Sequence, residues 1–114
     1  IFGAGGNRDS LKRPLMGKVA AKYSKHIIVT SDNPRFEDPD LIISDIVAGI
    51  PSNINYEIEV NRKEAIKKAI NLANENSVIL VLGKGDESTQ IIYDQKLPFS
   101  DKTEILKALK KIEV

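Results

Sequence analysis

"HIIVTSDNPRFEDP", residues 26–39, is a short β-branched run, then a polar loop carrying two prolines, an arginine and three acids, then Asp38 directly before Pro39. Runs such as 26–31 are buried on both faces in a parallel sheet. Asp38 as a cap with Pro39 at the first helical position opens a helix. The stretch therefore reads strand, loop, helix, and "SVILVLG" (77–83) repeats the strand-to-loop part. Helical spacings of three and four recur in Leu11, Leu15, Val19 and Tyr23, and in Ile42, Ile43, Ile46, Val47 and Ile50. They return in Ile66, Ala69, Ile70 and Ala73, and in Ile105, Leu106, Leu109 and Ile112. Asn61 with Glu64 and Asp101 with Glu104 are two capping-box candidates. "NYEIEV" (55–60) alternates as an edge strand should, with Tyr56, Ile58 and Val60 on one face. "TQIIYD" (89–94) is a weaker strand. It follows "SVILVLG" too closely for a crossover helix, so those two are expected to pair antiparallel. With a strand at the opening residues, the order predicts an α/β open sheet, mostly parallel with one antiparallel strand and helices on both faces.

The 114 residues suit one domain, and 41% hydrophobic with 29% charged residues is globular composition. A net charge of +1 gives no long-range field for nucleic acid, although Arg8 to Lys25 carries six basic residues against Asp9 alone. Without cysteine there is no disulfide or thiol chemistry, and one histidine does not build a usual zinc site. No apolar run approaches the roughly 20 residues that span a bilayer. These features suit a cytosolic setting. The opening Ile-Phe-Gly reads as a cut through the end of a strand, so residues 1–114 are expected to be a domain excised from a longer chain.

In such sheets ligands bind outside the carboxyl ends of the strands, near the switch point in strand order. Three loops qualify. "GAGGNRD" (3–9) reads either as a phosphate-cradling loop or as a tight strand-to-helix turn, and lacks the full dinucleotide fingerprint. Arg8 beside it can grip a carboxylate or phosphate with two parallel bonds, or be solvated. "GKGDE" (83–87) is not a Walker A loop; Glu87 there can bind an ammonium group, or the segment is a charged exposed turn. In "DNPR" (32–35), Pro34 holds Asn33 extended and fixes its own φ, while Asp32 and Asn33 can bond the local backbone. A stiff loop presenting an amide and a forked cation suits an α-amino acid or another carboxylate. Alternatively Arg35 pairs with Glu37 or Asp38 and only shapes the turn. His26 reads as structural, Lys18, Lys22 and Lys25 as a solvated helix face, and Tyr23 and Tyr56 as core.

Taken together, "IFGAGGNRDSLKRPLMGKVA", "HIIVTSDNPRFEDP", "LGKGDESTQII" and "PFSDKTE", in that order, resemble the C-terminal domain of the Mur ligases. The likeness covers nearly the whole chain. It is strongest to the UDP-N-acetylmuramoyl-tripeptide synthetase (MurE) branch that uses meso-diaminopimelate. The resemblance implies a Rossmann-like α/β sheet and an ATP-dependent ligase of peptidoglycan synthesis. In that family ATP phosphorylates the D-Glu carboxylate of UDP-MurNAc-L-Ala-D-Glu. The amine of the incoming amino acid attacks the acyl phosphate, and the tetrahedral intermediate loses phosphate to leave the amide. The C-terminal domain delivers the amino acid. By motif, Arg35 matches the residue that binds the distal carboxylate, Asn33 and Arg8 match residues that hold the amino acid, and Gly83 and Glu87 match the positions that contact its distal amino group and carboxylate end, with Asp32 in support. Asp9, Lys12 and Arg13 lie in the segment facing the central domain and its nucleotide. Lysine lacks the distal carboxylate and would leave Arg35 unpaired, which favours diaminopimelate or an analogue such as meso-lanthionine.

Two departures stand out: Asp86 replaces the family's usual histidine, and Ser88 with Thr89 follows Glu87 where other residues are common. The Walker A loop, the Mg²⁺ ligands, the carbamylated lysine and the nucleotide-sugar domain of the family are absent from these residues. The implied ATP and Mg²⁺ are therefore expected mainly on the central domain, and these residues alone are expected not to catalyse. The expected partners are the small-molecule substrates and the protein's own N-terminal and central domains, with no nucleic acid and no membrane, in the bacterial cytoplasm. The rival readings are a lysine-adding or folylpolyglutamate-type ligase domain, a non-catalytic Rossmann-like nucleotide module with Asp32 as the ribose acid, and a non-catalytic amino-acid-binding domain.

Overall fold

The computed structural model describes residues 1–112, the side chain of Ile112 excepted. Along the chain lie α1 (Lys12–Tyr23), β1 (His26–Val29), α2 (Pro39–Val47), β2 (Asn55–Ile58), α3 (Arg62–Leu72), β3 (Thr89–Ile92), β4 (Gln95–Pro98) and α4 (Asp101–Ile112). β1 and β2 pair in parallel, Ile27 opposite Tyr56 and Val29 opposite Ile58. The opening residues extend the row. Phe2 donates its N–H to Ile28 O (3.2 Å) and accepts from Thr30 N (2.9 Å). On the other side Ile1 donates to Leu80 O (2.8 Å) and accepts from Leu82 N (2.9 Å). The spatial order is β2, β1, residues 1–3, then 80–82, all running the same way. The chain leaves the opening residues on one side and returns on the other, which sets a switch point at Gly3 and Gly83.

Successive side chains along this row face opposite ways. Phe2, Ile27 and Val29 pack with Ala21 of α1 and with Ile42, Ile43, Ile46 and Ile50 in and after α2. Ile1 and Val81 pack on the other face with Ile66 and Ile70 of α3 and Ile105 and Ala108 of α4. Helices on both faces are thus as expected.

The expected stripe of α1 is not its buried face. Leu11, Leu15, Val19 and Tyr23 are 58–80% exposed, while Arg13, Gly17 and Ala21 face inward. Gly17 is required there: a Cβ would sit 2.1 Å from Ile46 O, so α1 crosses α2 with backbone nearly touching backbone. Close crossing selects the small residues for the interior and turns the large ones out. Tyr56 is likewise exposed rather than core, because α1, α2 and α3 contact β1 and β2 lies beyond them at the edge.

The segment 77–83 also departs from its expected burial. Val81 packs inward, but Val78, Leu80 and Leu82 are more than half exposed, since the segment sits at the end of the row beside Ile1 and α1 and α2 do not extend over it. Nor does it pair with 89–94. β3 instead pairs antiparallel with β4, Thr89 opposite Pro98 and Ile92 opposite Gln95, in a hairpin absent from the expected order.

Helix starts follow local chemistry. Asp38 Oδ1 accepts from Asp40 N (2.9 Å) with Pro39 at the first helical position. Asn61 Oδ1 accepts from Glu64 N (3.2 Å), but Glu64 turns to Lys67 (3.4 Å) rather than completing the box. At α4 the cap is Ser100, whose Oγ accepts from Thr103 N (3.3 Å). Asp101, the expected cap, is buried against Arg62, where a carboxylate gains more from a guanidinium than from a solvated amide. Of the expected α4 stripe, Ile105 is half-buried, Leu106 and Leu109 are exposed, and the side chain of Ile112 lies outside the described residues.

Candidate functional site

The loops at the carboxyl ends of the row meet at the switch point. Gly3, Gly5 and Gly6 all have negative φ, so their role is close approach rather than unusual backbone torsion. A Cβ on Gly3 would lie 2.3 Å from Thr30 O, and one on Gly6 1.8 Å from Pro34 O. Gly6 N donates to Asn33 O (2.7 Å), and Asn7 N donates to Glu37 Oε1 (2.7 Å). With these amides bonded inside the protein, they are not free to cradle a phosphate; the glycine loop is fastened flat against the 32–35 loop.

Arg13 reinforces the join. Its guanidinium donates to Glu37 Oε1 (2.9 Å) and Oε2 (3.0 Å), Asp45 Oδ2 (3.0 Å) and Gly5 O (3.2 Å), and it is 2% exposed. The hydrogen bond from Arg13, then that from Asn7 N, holds the Glu37 carboxyl below the ordinary glutamate range. The Glu37 carboxylate in turn raises Arg13. Arg13, expected to face a nucleotide, is thus committed to internal partners, while Asp9 and Lys12 stand exposed.

Arg35 has a left-handed backbone (φ 53°) and Nη1 bonds to Gly6 O (3.0 Å) and Asn33 O (3.5 Å). Among the described residues it forms no ion pair, with Glu37 or Asp38 in particular, which removes the alternative of a turn-shaping pair. Its backbone is latched to β3: Arg35 N donates to Ile91 O (3.0 Å) and Tyr93 N to Arg35 O (2.6 Å). Arg8 and Arg35 converge on Gly5, where a Cβ would lie 3.3 Å from Arg8 Cγ and 2.9 Å from Arg35 Nη1. Arg8 is exposed.

Asn33 is buried, with Nδ2 3.5 Å from Glu87 Oε1 and Oδ1 accepting from Lys84 Nζ (2.9 Å) and Ile91 N (2.9 Å). Gly83 (φ 111°) and Gly85 (φ 56°) need glycine for their torsions, and together they turn the loop back so that Lys84 points inward. Asp32 lies beside Gly83, with Oδ1 3.1 Å from Lys84 Nζ. Gly3, Gly5, Arg8, Asp9, Lys12, Asp32 and Gly83 line a shallow cleft of about 380 Å³. The structure thus brings Arg8, Asp32, Asn33, Arg35, Gly83 and Glu87 together on one end of the sheet.

Sequence reasoning misses two buried cations that build this end. Lys84 reads in the sequence as part of an exposed turn and is 2% exposed. Arg62, 1% exposed, donates to both oxygens of Asp101 (2.8 and 2.9 Å), to Ser31 O (3.1 Å) and to Leu82 O (3.0 Å). Those carbonyls immediately precede Asp32 and Gly83. Only a buried acid some 40 residues away could have marked Arg62 as interior, and no local pattern supplies that.

The fold and this end of it define an α/β domain of the open-sheet class whose switch point gathers two arginines, an amide and a carboxylate. Residues 1–85 match the family described as Mur ligase, glutamate ligase domain, and the chain belongs to that family. It is 57% identical over 101 residues to the UDP-N-acetylmuramoyl-L-alanyl-D-glutamate--2,6-diaminopimelate ligase of Aquifex aeolicus, covering 89% of this chain and 21% of that protein. To the ligase of the same name from Rickettsia typhi it is 51% identical over 109 residues, 96% of this chain and 22% of that one. A solved structure of a 2,6-diaminopimelate ligase superposes with a TM-score of 0.94 at 38% identity, over 99% of this chain and 23% of that chain. The chain therefore spans about a fifth of the length of the relatives it matches. No helix among the described residues is long and apolar enough to cross a membrane.

Proposed function

We infer that this chain is the amino-acid-binding domain of an ATP-dependent ligase. The whole protein would add meso-diaminopimelate, or an analogue with the same two ends such as meso-lanthionine, to UDP-MurNAc-L-Ala-D-Glu in the bacterial cytosol. The observation that carries the reading is Arg35, a guanidinium braced by carbonyls and lacking a carboxylate partner among the described residues, gathered with Arg8, Asn33 and Glu87. A second amino-acid centre presents one carboxylate and one ammonium, and Arg35 with Glu87 offers the complementary charge to each. Asn33 and Arg8 hold the molecule, and Asp32 and Gly83 shape the wall beside it. Asp9 and Lys12, exposed at the start of α1, face the rest of the protein.

The described residues hold no group of three or more His, Asp or Glu side chains able to bind a metal ion, so no step through Mg²⁺ is assigned to them. ATP and Mg²⁺ belong, on this reading, to the parts of the protein beyond these residues. The domain contributes binding and orientation, bringing the reacting amine to the activated carboxylate.

The test is amino-acid-dependent phosphate release by the full-length protein with diaminopimelate, lanthionine and lysine. Diaminopimelate is expected to be preferred. Arg35→Ala should raise its KM roughly 10- to 100-fold, the loss of one charged hydrogen bond, while narrowing the gap to lysine. A preference for lysine together with an unaffected Arg35→Ala enzyme would overturn the assignment.

A further inference from the structure

Lys84 is the buried charge that the binding role leaves unused. Its side chain is fully enclosed, and its ammonium has three neighbours: Asn33 Oδ1 at 2.9 Å, Thr89 O at 3.0 Å and Asp32 Oδ1 at 3.1 Å. An ammonium has three protons and no acceptor; two of them go to oxygens inside the protein, and the enclosed side chain presents no surface to a ligand. The first two contacts are hydrogen bonds. The third is an ion pair off the hydrogen-bond direction, and Asp32 Oδ1 has no hydrogen-bond partner among the described residues.

Asn33 shows what this arrangement fixes. Its Oδ1 accepts from both Lys84 Nζ and Ile91 N. Rotating the amide by half a turn would set its NH2 group against an ammonium and a backbone N–H, two donors facing a donor. The carbonyl oxygen is therefore locked inward and Nδ2 is turned outward, toward Glu87. Lys84 also balances the Asp32 carboxylate beside Gly83, which would otherwise add an uncompensated negative charge to a pocket meant for carboxylates.

We propose that Lys84 is a positioning residue of the amino-acid pocket: it sets the orientation of the Asn33 amide so that a donor faces the ligand, and it neutralises Asp32. This rests on the reading of the pocket given under Proposed function. Lys84 does not touch the amino acid; it acts through Asn33 and Asp32.

The experiment is a double-mutant cycle in the full-length protein, read as KM for diaminopimelate against kcat, with KM for ATP and for the UDP-dipeptide as controls. Lys84→Met should raise the diaminopimelate KM about tenfold or more, leaving both control KM values within about twofold. Asn33→Ala should do the same, and the double variant should fall clearly short of the product of the two single effects, because part of what Lys84 contributes passes through Asn33. Additive effects, or a Lys84→Met enzyme with unchanged diaminopimelate KM, overturn the proposal. Asn33→Asp covers the case in which Lys84→Met does not fold. It keeps an acceptor for Lys84 and Ile91 but has no Nδ2 donor, so its diaminopimelate KM should rise; an unchanged KM overturns the proposal independently. Arg35→Ala separates the two levels. If it raises the diaminopimelate KM while the Lys84 and Asn33 variants do not, the positioning role fails and the pocket stands. If Arg35→Ala has no effect either, the pocket itself is misassigned.

Discussion

Replacing Asp101 with Asn should cost this fold a large part of its stability. Arg62 and Asp101 are 1% and 4% exposed, and both carboxylate oxygens bond the guanidinium. The substitution preserves volume but leaves the buried guanidinium charge with neutral oxygens in place of its carboxylate, Ser31 O, Leu82 O and the one amide oxygen that Asn retains, and sets the amide NH2 against a guanidinium N–H. Removing one partner of a buried pair costs about 3–5 kcal/mol, mostly as the penalty of the abandoned charge. Against the roughly 5–15 kcal/mol that holds a domain folded, that is about a fifth or more, and it corresponds to a fall in Tm on the order of 10–20 °C. Urea unfolding of the 114-residue chain measures it, with an unchanged m-value confirming that the two curves compare the same transition. The double variant Arg62→Met with Asp101→Leu, which removes both charges, should recover most of the loss. Its amino-acid pocket should nonetheless weaken, since the carbonyls before Asp32 and Gly83 lose their shared anchor. A cost below about 1 kcal/mol for Asp101→Asn would refute the reasoning, because a charge that can be stranded so cheaply is not desolvated.

Gly6→Ala should disrupt the pocket, since its Cβ would lie 1.8 Å from Pro34 O and the glycine loop must lift off the 32–35 loop; the diaminopimelate KM of the full-length enzyme should rise, and an unchanged value would show that the loops tolerate separation. Gly17→Ala should destabilise by about 1–3 kcal/mol in urea through overpacking against Ile46 O, with no change counting against the backbone-on-backbone crossing of α1 and α2. Glu37 carries a pH dependence. Its folded carboxyl titrates below the ordinary glutamate value of about 4.3, so the stability it adds is complete above that value and is lost as pH falls through the lowered one. Glu37→Gln should therefore flatten the acid limb of urea midpoints, and identical limbs for the two proteins would sink the Arg13 linkage. Asp38→Ala should remove the α2 cap at a cost of about 1 kcal/mol, read from the same urea midpoints; a shift within error would leave the cap without energetic weight.

The sequence carries its local physics faithfully and its long-range pairings hardly at all. β1, the start of α2 at Asp38 and Pro39, and the interior stripe from Ile42 to Ile50 are all legible, because periodicity and capping act over a few residues. The α1 stripe misleads for a stated reason: the distance between α1 and α2 is set by Gly17 and Gly49, each against a backbone carbonyl of the other segment. Once helices approach that closely, small residues occupy the interface and spacing of large ones says nothing about burial. The β3–β4 hairpin is hidden because its turn residues Tyr93 and Asp94 carry none of the usual glycine or asparagine, and Tyr93 itself takes the left-handed torsion (φ 55°). The candidate site is legible as three loops of odd composition. That Arg35 has no acid partner among the described residues is not, since Glu37 two residues away is claimed by Arg13 from α1.

That competition for Glu37 makes Arg35 available. A cation next to acids in sequence ordinarily finds one of them, and Arg35 has Glu37 and Asp38 close by. In the fold, Arg13 takes Glu37 through two bonds, and Asp38 turns its oxygen to the start of α2. The two nearby carboxylates are thus occupied before Arg35 can use them, and carbonyls brace its guanidinium without neutralising it. Carbonyl dipoles stabilise the charge in place and leave room for an anion, whereas a carboxylate would compete with one directly. If Arg35 holds the distal carboxylate as proposed, specificity then depends on Arg13 as well as on Arg35. If Arg13 were replaced by Met, Glu37 would lose its cation and keep only the bond from Asn7 N, and Arg35 would acquire an internal competitor two residues away. The expected result is a higher KM for diaminopimelate in the full-length enzyme, with part of the loss restored by adding Glu37→Gln. Failure of that second change to restore binding would show that Arg13 acts only by holding α1 in place.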